Sequence, residues 1–146
     1  MNKQPSILKI LTIDYIAFLG WIFPVVIWAS YILSYFIRSV KINFFPLPVV
    51  YIAITIAALI VVLWRIQVIY SVFSDGMEAP ATINRISFFR DRGKVDYVYT
   101  HQGQKYVSSN SIHRVKQTLA LKIEDQVVVV IDRNHPKKAF IRDLYI

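Results

Sequence analysis

The sequence contains no cysteine. Disulfides, thiolate zinc sites and cysteine nucleophiles are therefore excluded, while the redox compartment stays open. Only four glycines are present, at positions 20, 76, 93 and 103. They are scattered, so no glycine-rich loop exists to cradle a phosphate. The three histidines, His101, His113 and His135, form no HExxH pair. A zinc site needs three or four ligands at workable spacing, so these histidines are expected in exposed turns. The segment Ser108–Ser111 lacks the Gly-x-Ser-x-Gly setting of a nucleophile elbow and reads as a polar strand face. The nine Asp and Glu residues offer no convincing acid/base pair, since Asp91 and Asp96 simply flank a turn. The expectation is a protein that is not an enzyme, with no catalytic centre, no metal and no cofactor.

Charge is also missing from two long stretches, Tyr15 to Ile37 and Ile42 to Trp64. Each is 23 residues long, and a transmembrane helix needs roughly 20. Only Arg38-Ser-Val-Lys41 separates them. The first run is too long for the roughly 7–15-residue apolar core of a signal peptide, and it is read as a retained anchor. Pro24 removes one helix hydrogen bond inside the first span and predicts a kink near Gly20 to Pro24. Trp21, Trp28, Tyr31 and Tyr35 stud that span, as aromatics do at membrane interfaces and protein contacts. Pro46 and Pro48 suit the first turn of the second helix. That helix, from about Leu47 to Ser74, would be about 42 Å long at 1.5 Å per residue. The hydrocarbon core is about 30 Å thick, so the helix must tilt or project. Residues 1–75 thus read as a two-helix transmembrane hairpin, with spans at about 15–37 and 47–70. Met1 to Asp14 reads as an amphipathic lead-in lying in the membrane interface.

Arg65 is the one cation within the apolar stretch. Two readings stand side by side. Its long stem can snorkel to the headgroups, or it can pair with Asp14, which an antiparallel hairpin places about one turn away.

From Asp75-Gly76 the pattern changes to short alternating runs with turn residues between them. Strands are expected at Ala79–Phe89, Lys94–Thr100, Lys105–Ile112, Gln126–Asp132 and Ala139–Tyr145, with turns at residues 90–94, 101–104 and 133–136. The segment His113–Asp125 reads as either a short helix or irregular chain. Val127, Val129 and Ile131 should be buried, with Tyr97 and Tyr99 packed nearby. Residues 76–146 are therefore expected to form a small all-β domain, a five-stranded OB-like or SH3-like barrel or rolled sheet. Closure would remove the exposed edges of so small a sheet.

Three groups of residues carry a resemblance. They are Ala79-x-Ala81-x-Ile83-x-x-Ile86, then Tyr97-x-Tyr99 with Gly103-x-x-Tyr106, then Val127-x-Val129 through Pro136-x-x-Ala139-x-Ile141. Together they resemble the DUF3592 family of small bacterial membrane proteins of unknown function. The resemblance implies two transmembrane helices beside a small β-domain, and no catalytic residues. One departure is Glu124-Asp125, where that family commonly has Gly-Asp, so the local turn geometry is open.

The net charge is +8, and from Asp75 onward 12 Lys and Arg face 8 Asp and Glu, a net of +4. That is mildly basic and interspersed. Arg90, Arg92 and Lys94, beside Tyr97, Tyr99 and Tyr106, are the candidate surface contact. They read as a solvated turn over core tyrosines, as a contact to anionic headgroups, or as a single-strand nucleic-acid surface, in that order. Nucleic acid is not the expected partner. The expected partners are the lipid bilayer and other membrane subunits, or a second copy of the chain. The function expected is a scaffold or accessory subunit in the bacterial cytoplasmic membrane, and the alternative is a tethered β-module that binds lipid or nucleic acid. Lys3, Lys9, Arg65, Arg85, Arg90, Arg92 and Lys94 outnumber Arg38 and Lys41 across the hairpin. The positive-inside rule then predicts both termini in the cytoplasm.

Overall fold

A computed structural model of the protein describes residues 4–36 and 48–146. Lys3, the connection at residues 38–41 and Pro46 lie outside the described residues, as does the side chain of Tyr35. A short helix α1 (Ile7–Ile13) and a long helix α2 (Tyr15–Phe36) are separated by one extended residue, Asp14. Pro24 lies inside α2, which continues on both sides of it. Helix α3 (Pro48–Asp75) begins on a proline, whose missing N–H costs nothing in a first turn. The two long helices pack antiparallel. The Trp28 indole N–H donates to Thr55 Oγ1 at 2.9 Å, and Gly20 lies against Ala58 and Val62. Both are long and apolar enough to cross a membrane, by length and composition. The 28 residues of α3 exceed a bilayer core, and its last turns are not left bare. Ile69, Val72 and Phe73 are buried in the β-domain.

That domain is a five-stranded antiparallel sheet curled into a nearly closed barrel. Its strands are β1 (Met77–Phe89), β2 (Arg92–His101), β3 (Gln104–His113), β4 (Gln126–Ile131) and β5 (Ala139–Ile141), in the spatial order β3-β2-β1-β4-β5. A helical turn α4 (Lys116–Leu119) follows β3, and another, α5 (Arg142–Tyr145), follows β5. Strand β2 alternates strictly, burying Gly93, Val95, Tyr97 and Tyr99. The two-residue turn Gln102-Gly103 has positive φ at both positions (49° and 76°), which matches the twist of the strands it joins. Strand β1 is shared, pairing with β4 over Met77–Thr82 and with β2 over Ala81–Phe89. A register shift between Ile83 and Arg85 bends it. Pro80 lies just beyond the β2 ladder, so it removes no bond there.

The loop before β4 pairs with that bend, since the Glu124 N–H donates to Ile83 O at 2.8 Å and the Ile83 N–H to Asp125 O at 3.0 Å. Glu124 sits at φ 73°, the left-handed region that glycine tolerates best. The turn is thus made with a glutamate in a glycine conformation.

Strands β3 and β5 form the two edges, and among the described residues no backbone ladder joins them. A side chain does so instead. Asn110 donates from Nδ2 to Ala139 O at 3.1 Å and accepts the Ile141 N–H on Oδ1 at 3.1 Å. Its amide stands in for a peptide unit of a missing strand partner. The Tyr97 hydroxyl, buried in the barrel, donates to the same Ala139 carbonyl at 2.6 Å. Ser108 adds a bond to Lys137 O at 2.9 Å.

Two expectations need correction. The final segment is not one strand to Tyr145, because β5 ends at Ile141 and a helical turn follows. Leu144 and Tyr145 are both buried. Strand alternation would send one of them outward, whereas neighbours in a helical turn can both reach one core. Val127 is half-buried, while Val129, Val130 and Ile131 are all buried. β4 has its inner face on the barrel, and Val130 on its other face packs beside Gly76 at the end of α3. The lead-in helix also finds a protein partner. Ile10 and Ile13 enter the barrel core, and the Ser6 N–H donates to Tyr145 O at 2.8 Å. One cluster of buried side chains therefore runs from α1 and the end of α3 through all five strands.

Candidate functional site

Asp14 stands where α1, α2, α3 and the barrel meet. Its backbone forms an isolated antiparallel bridge with Ile112 of β3. Its carbonyl accepts the Phe18 N–H at 2.8 Å, and its Oδ1 accepts the Ala17 N–H at 3.1 Å. It is thus the N-cap of α2, a role that aspartate favours because its carboxylate satisfies an orphan N–H of the first turn. Arg65 reaches the same carboxylate from α3. Its Nε lies 3.0 Å from Oδ1 and 3.1 Å from Oδ2, and its Nη2 lies 2.7 Å from Oδ2. Of the two readings for Arg65, the structure takes the pair. Asp14 is 0% exposed, and the Arg65 side chain is 13% exposed.

Two aromatic residues complete the arrangement, and neither was singled out in the sequence. The Tyr145 hydroxyl donates to Asp14 Oδ2 at 3.2 Å, and the Arg65 guanidinium sits 5.3 Å from the Phe140 ring centroid. Burial, and then the Asp14 carboxylate, hold the Tyr145 phenol well above its ordinary pKa, with the nearby Arg65 charge opposing them. Tyr145 therefore stays a neutral donor. Every oxygen of the Asp14 carboxylate is engaged, and water has no access to it. The carboxylate thus ties α2, α3 and the C-terminal turn together.

The candidate surface residues separate. Arg90 and Asp91 form the turn of the β1–β2 hairpin, Arg90 at φ 57°. The Arg92 guanidinium lies 5.7 Å over the Tyr15 ring, on the first residue of α2. Lys94 faces outward and pairs with Asp96 at 3.1 Å. Tyr97 and Tyr99 point inward, at 0% and 2% exposure, so they offer no stacking platform. Burial raises the pKa of both phenols.

Two of the three histidines differ from the exposed-turn expectation. His135 is exposed. His101 is buried beside Tyr106. The His113 ring stacks on Phe18 at 3.9 Å, and its Nδ1 lies 3.2 Å from Thr12 O. A carbonyl only accepts, so that nitrogen carries the proton. His113 was read as a turn residue because nothing local shows that the first turn of α2 covers it. Among the described residues, no three His, Asp or Glu side chains gather as metal ligands do.

Compared with known proteins, the chain matches no family model, no curated protein and no solved structure at a significant level.

Proposed function

We propose that this chain is a non-enzymatic scaffold or accessory subunit of the bacterial cytoplasmic membrane, crossing it twice with both termini on the cytoplasmic face. One observation carries the reading. Beyond the barrel, both long helices turn large apolar side chains outward over their whole length, among them Phe23, Val26, Leu33, Ile56, Ile60 and Leu63. Contiguous apolar surface of that extent in water marks a membrane or protein contact. The barrel, whose inward side is filled by side chains, supports docking by its outer surface rather than chemistry in a cavity. The layout is also the one that the resemblance to the DUF3592 family implies. The cation balance across the hairpin supports the orientation, with Lys9, Arg65, Arg85, Arg90 and Arg92 on the barrel side.

In this reading the helices pack with other membrane helices, from a different subunit or from a second copy, and the barrel docks on the same assembly. Purification from native membranes in a mild detergent tests it. A partner at fixed stoichiometry, or a defined homo-oligomer, is the expected result. A monomer recovered alone, or recovery in the soluble fraction, refutes it. Protease cleavage of a C-terminal tag from outside intact cells refutes the orientation.

A further inference from the structure

We propose that the tip of the β1–β2 hairpin is a contact for anionic phospholipid headgroups, built into the barrel at the height where α2 enters the bilayer. The inference rests on the membrane reading and deepens it.

Position comes first. Arg92 lies over Tyr15, the first residue of α2. In the sheet register Arg92 is opposite His113, and His113 stacks on Phe18 one turn further along α2. The tip is therefore level with the first turn of α2. The exposed apolar run begins there, at Ile16 and Leu19. The partner helix agrees, because Arg65 is level with Asp14 and no charge occurs between it and Ile42.

Composition comes second. Phe89 is 74% exposed at the tip, although it fills no space in the barrel. Its ring lies 5.5 Å from the Arg90 guanidinium. Arg114 joins the cluster, with its N–H bonded to Asp91 O at 2.8 Å. Three arginines thus gather at a tip that carries one exposed phenylalanine and one acid. An apolar ring flanked by cations fits the boundary between acyl chains and phosphates, where both parts are satisfied at once. Arg90 also holds a left-handed φ that asparagine or glycine would adopt with less strain. Folding alone does not favour arginine there. Lys94 is engaged with Asp96 and is not counted in the cluster.

The absence of cysteine makes a site-specific test simple. A Ser87→Cys variant of the full chain carries one environment-sensitive fluorophore on the exposed face of β1 near the tip. It is reconstituted in vesicles of phosphatidylcholine, with or without phosphatidylglycerol. A Phe23→Cys variant, labelled in the middle of α2, is the control. The expected result is a blue shift at position 87 only with phosphatidylglycerol, and a buried signal at position 23 in both. Phe89→Ala should weaken the shift. Arg90→Glu should lower the ratio of contacted to free tip roughly thirtyfold, since it changes the charge by two units. Arg92 is left intact because it rests on Tyr15. Arg90→Gln, which only neutralises, should give an intermediate loss and guards against misfolding of the reversed-charge variant. An indifferent label at position 87, with position 23 buried, overturns the lipid contact and leaves the membrane reading standing. A water-exposed label at position 23 overturns both. An equal shift from single-stranded DNA added to phosphatidylcholine vesicles overturns the lipid assignment.

Discussion

Arg65→Met removes one charge at the junction and keeps much of the side-chain volume. The Asp14 carboxylate then retains only the Ala17 N–H and the Tyr145 hydroxyl. It is fully buried, and stranding a buried charge by removing its partner costs about 3–5 kcal/mol. Arg65 itself is slightly exposed, so water can approach from its side, and the lower end, about 3 kcal/mol, is expected. Small proteins have only about 5–15 kcal/mol in total. At roughly 3 °C per kcal/mol the melting temperature should fall by about 10 °C. Asp14→Asn keeps the shape and an equally good N-cap. It leaves Arg65 unpaired but able to reach water or headgroups, so about 1–2 kcal/mol is expected. The double variant strands neither group and should recover most of the loss, a coupling of at least about 2 kcal/mol. Thermal unfolding in mild detergent, followed by tryptophan fluorescence, measures all three. If Arg65→Met melts with the parent, or if the two single effects simply add, the pair does not hold the junction and the reasoning fails.

Glu124→Gly should stabilise the protein by about 1 kcal/mol, because the left-handed φ then costs nothing; a lower urea midpoint would count against the turn as described. Asn110→Leu should cost about 1–3 kcal/mol by leaving the Ile141 N–H unpaired, while Ala139 O keeps the Tyr97 hydroxyl, and amide exchange at Ile141 should quicken at least tenfold, whereas unchanged exchange would show that the seam is closed by other means. Tyr97, Tyr99 and Tyr145 all have phenols raised chiefly by burial. In the unfolded chain they ionise near pH 10, while in the folded chain they hold their protons longer. The unfolded state binds fewer protons above that pH, so stability is intact below about pH 10 and falls as pH rises further. Tyrosinate absorbance should then appear together with unfolding, and ionisation of all nine tyrosines without unfolding would contradict the burial.

The two long helices were legible in the sequence because charge is absent over a bilayer's length, and α3 ends one residue from its expected limit. The strands were legible because alternation has period two and the turns carry turn residues. The tail was misjudged at Arg142, where alternation gives way to a helical turn that neighbours far along the chain make favourable. Asp14 and Arg65 were within reach by counting turns along an antiparallel pair. Tyr145 was not, since it lies 131 residues from Asp14 and only the closed barrel brings it there. Asn110 left one usable trace: it shares strand parity with the buried Ile112, which marks it as an inward polar residue in need of partners. The half-buried His113 left none, because its cover comes from the first turn of α2.

Gly76 alone separates α3 from β1. A methyl group at that position would run into Val72 O, Val130 and Ile131 O. The other crossing, at Asp14, is clamped by Arg65 and Tyr145. A domain on a single tether swivels and samples a hemisphere. One held at two points cannot swivel freely. The barrel thus works as a handle fixed to a shaft. Any rotation or tilt of the helix pair therefore carries the barrel's outer surface with it.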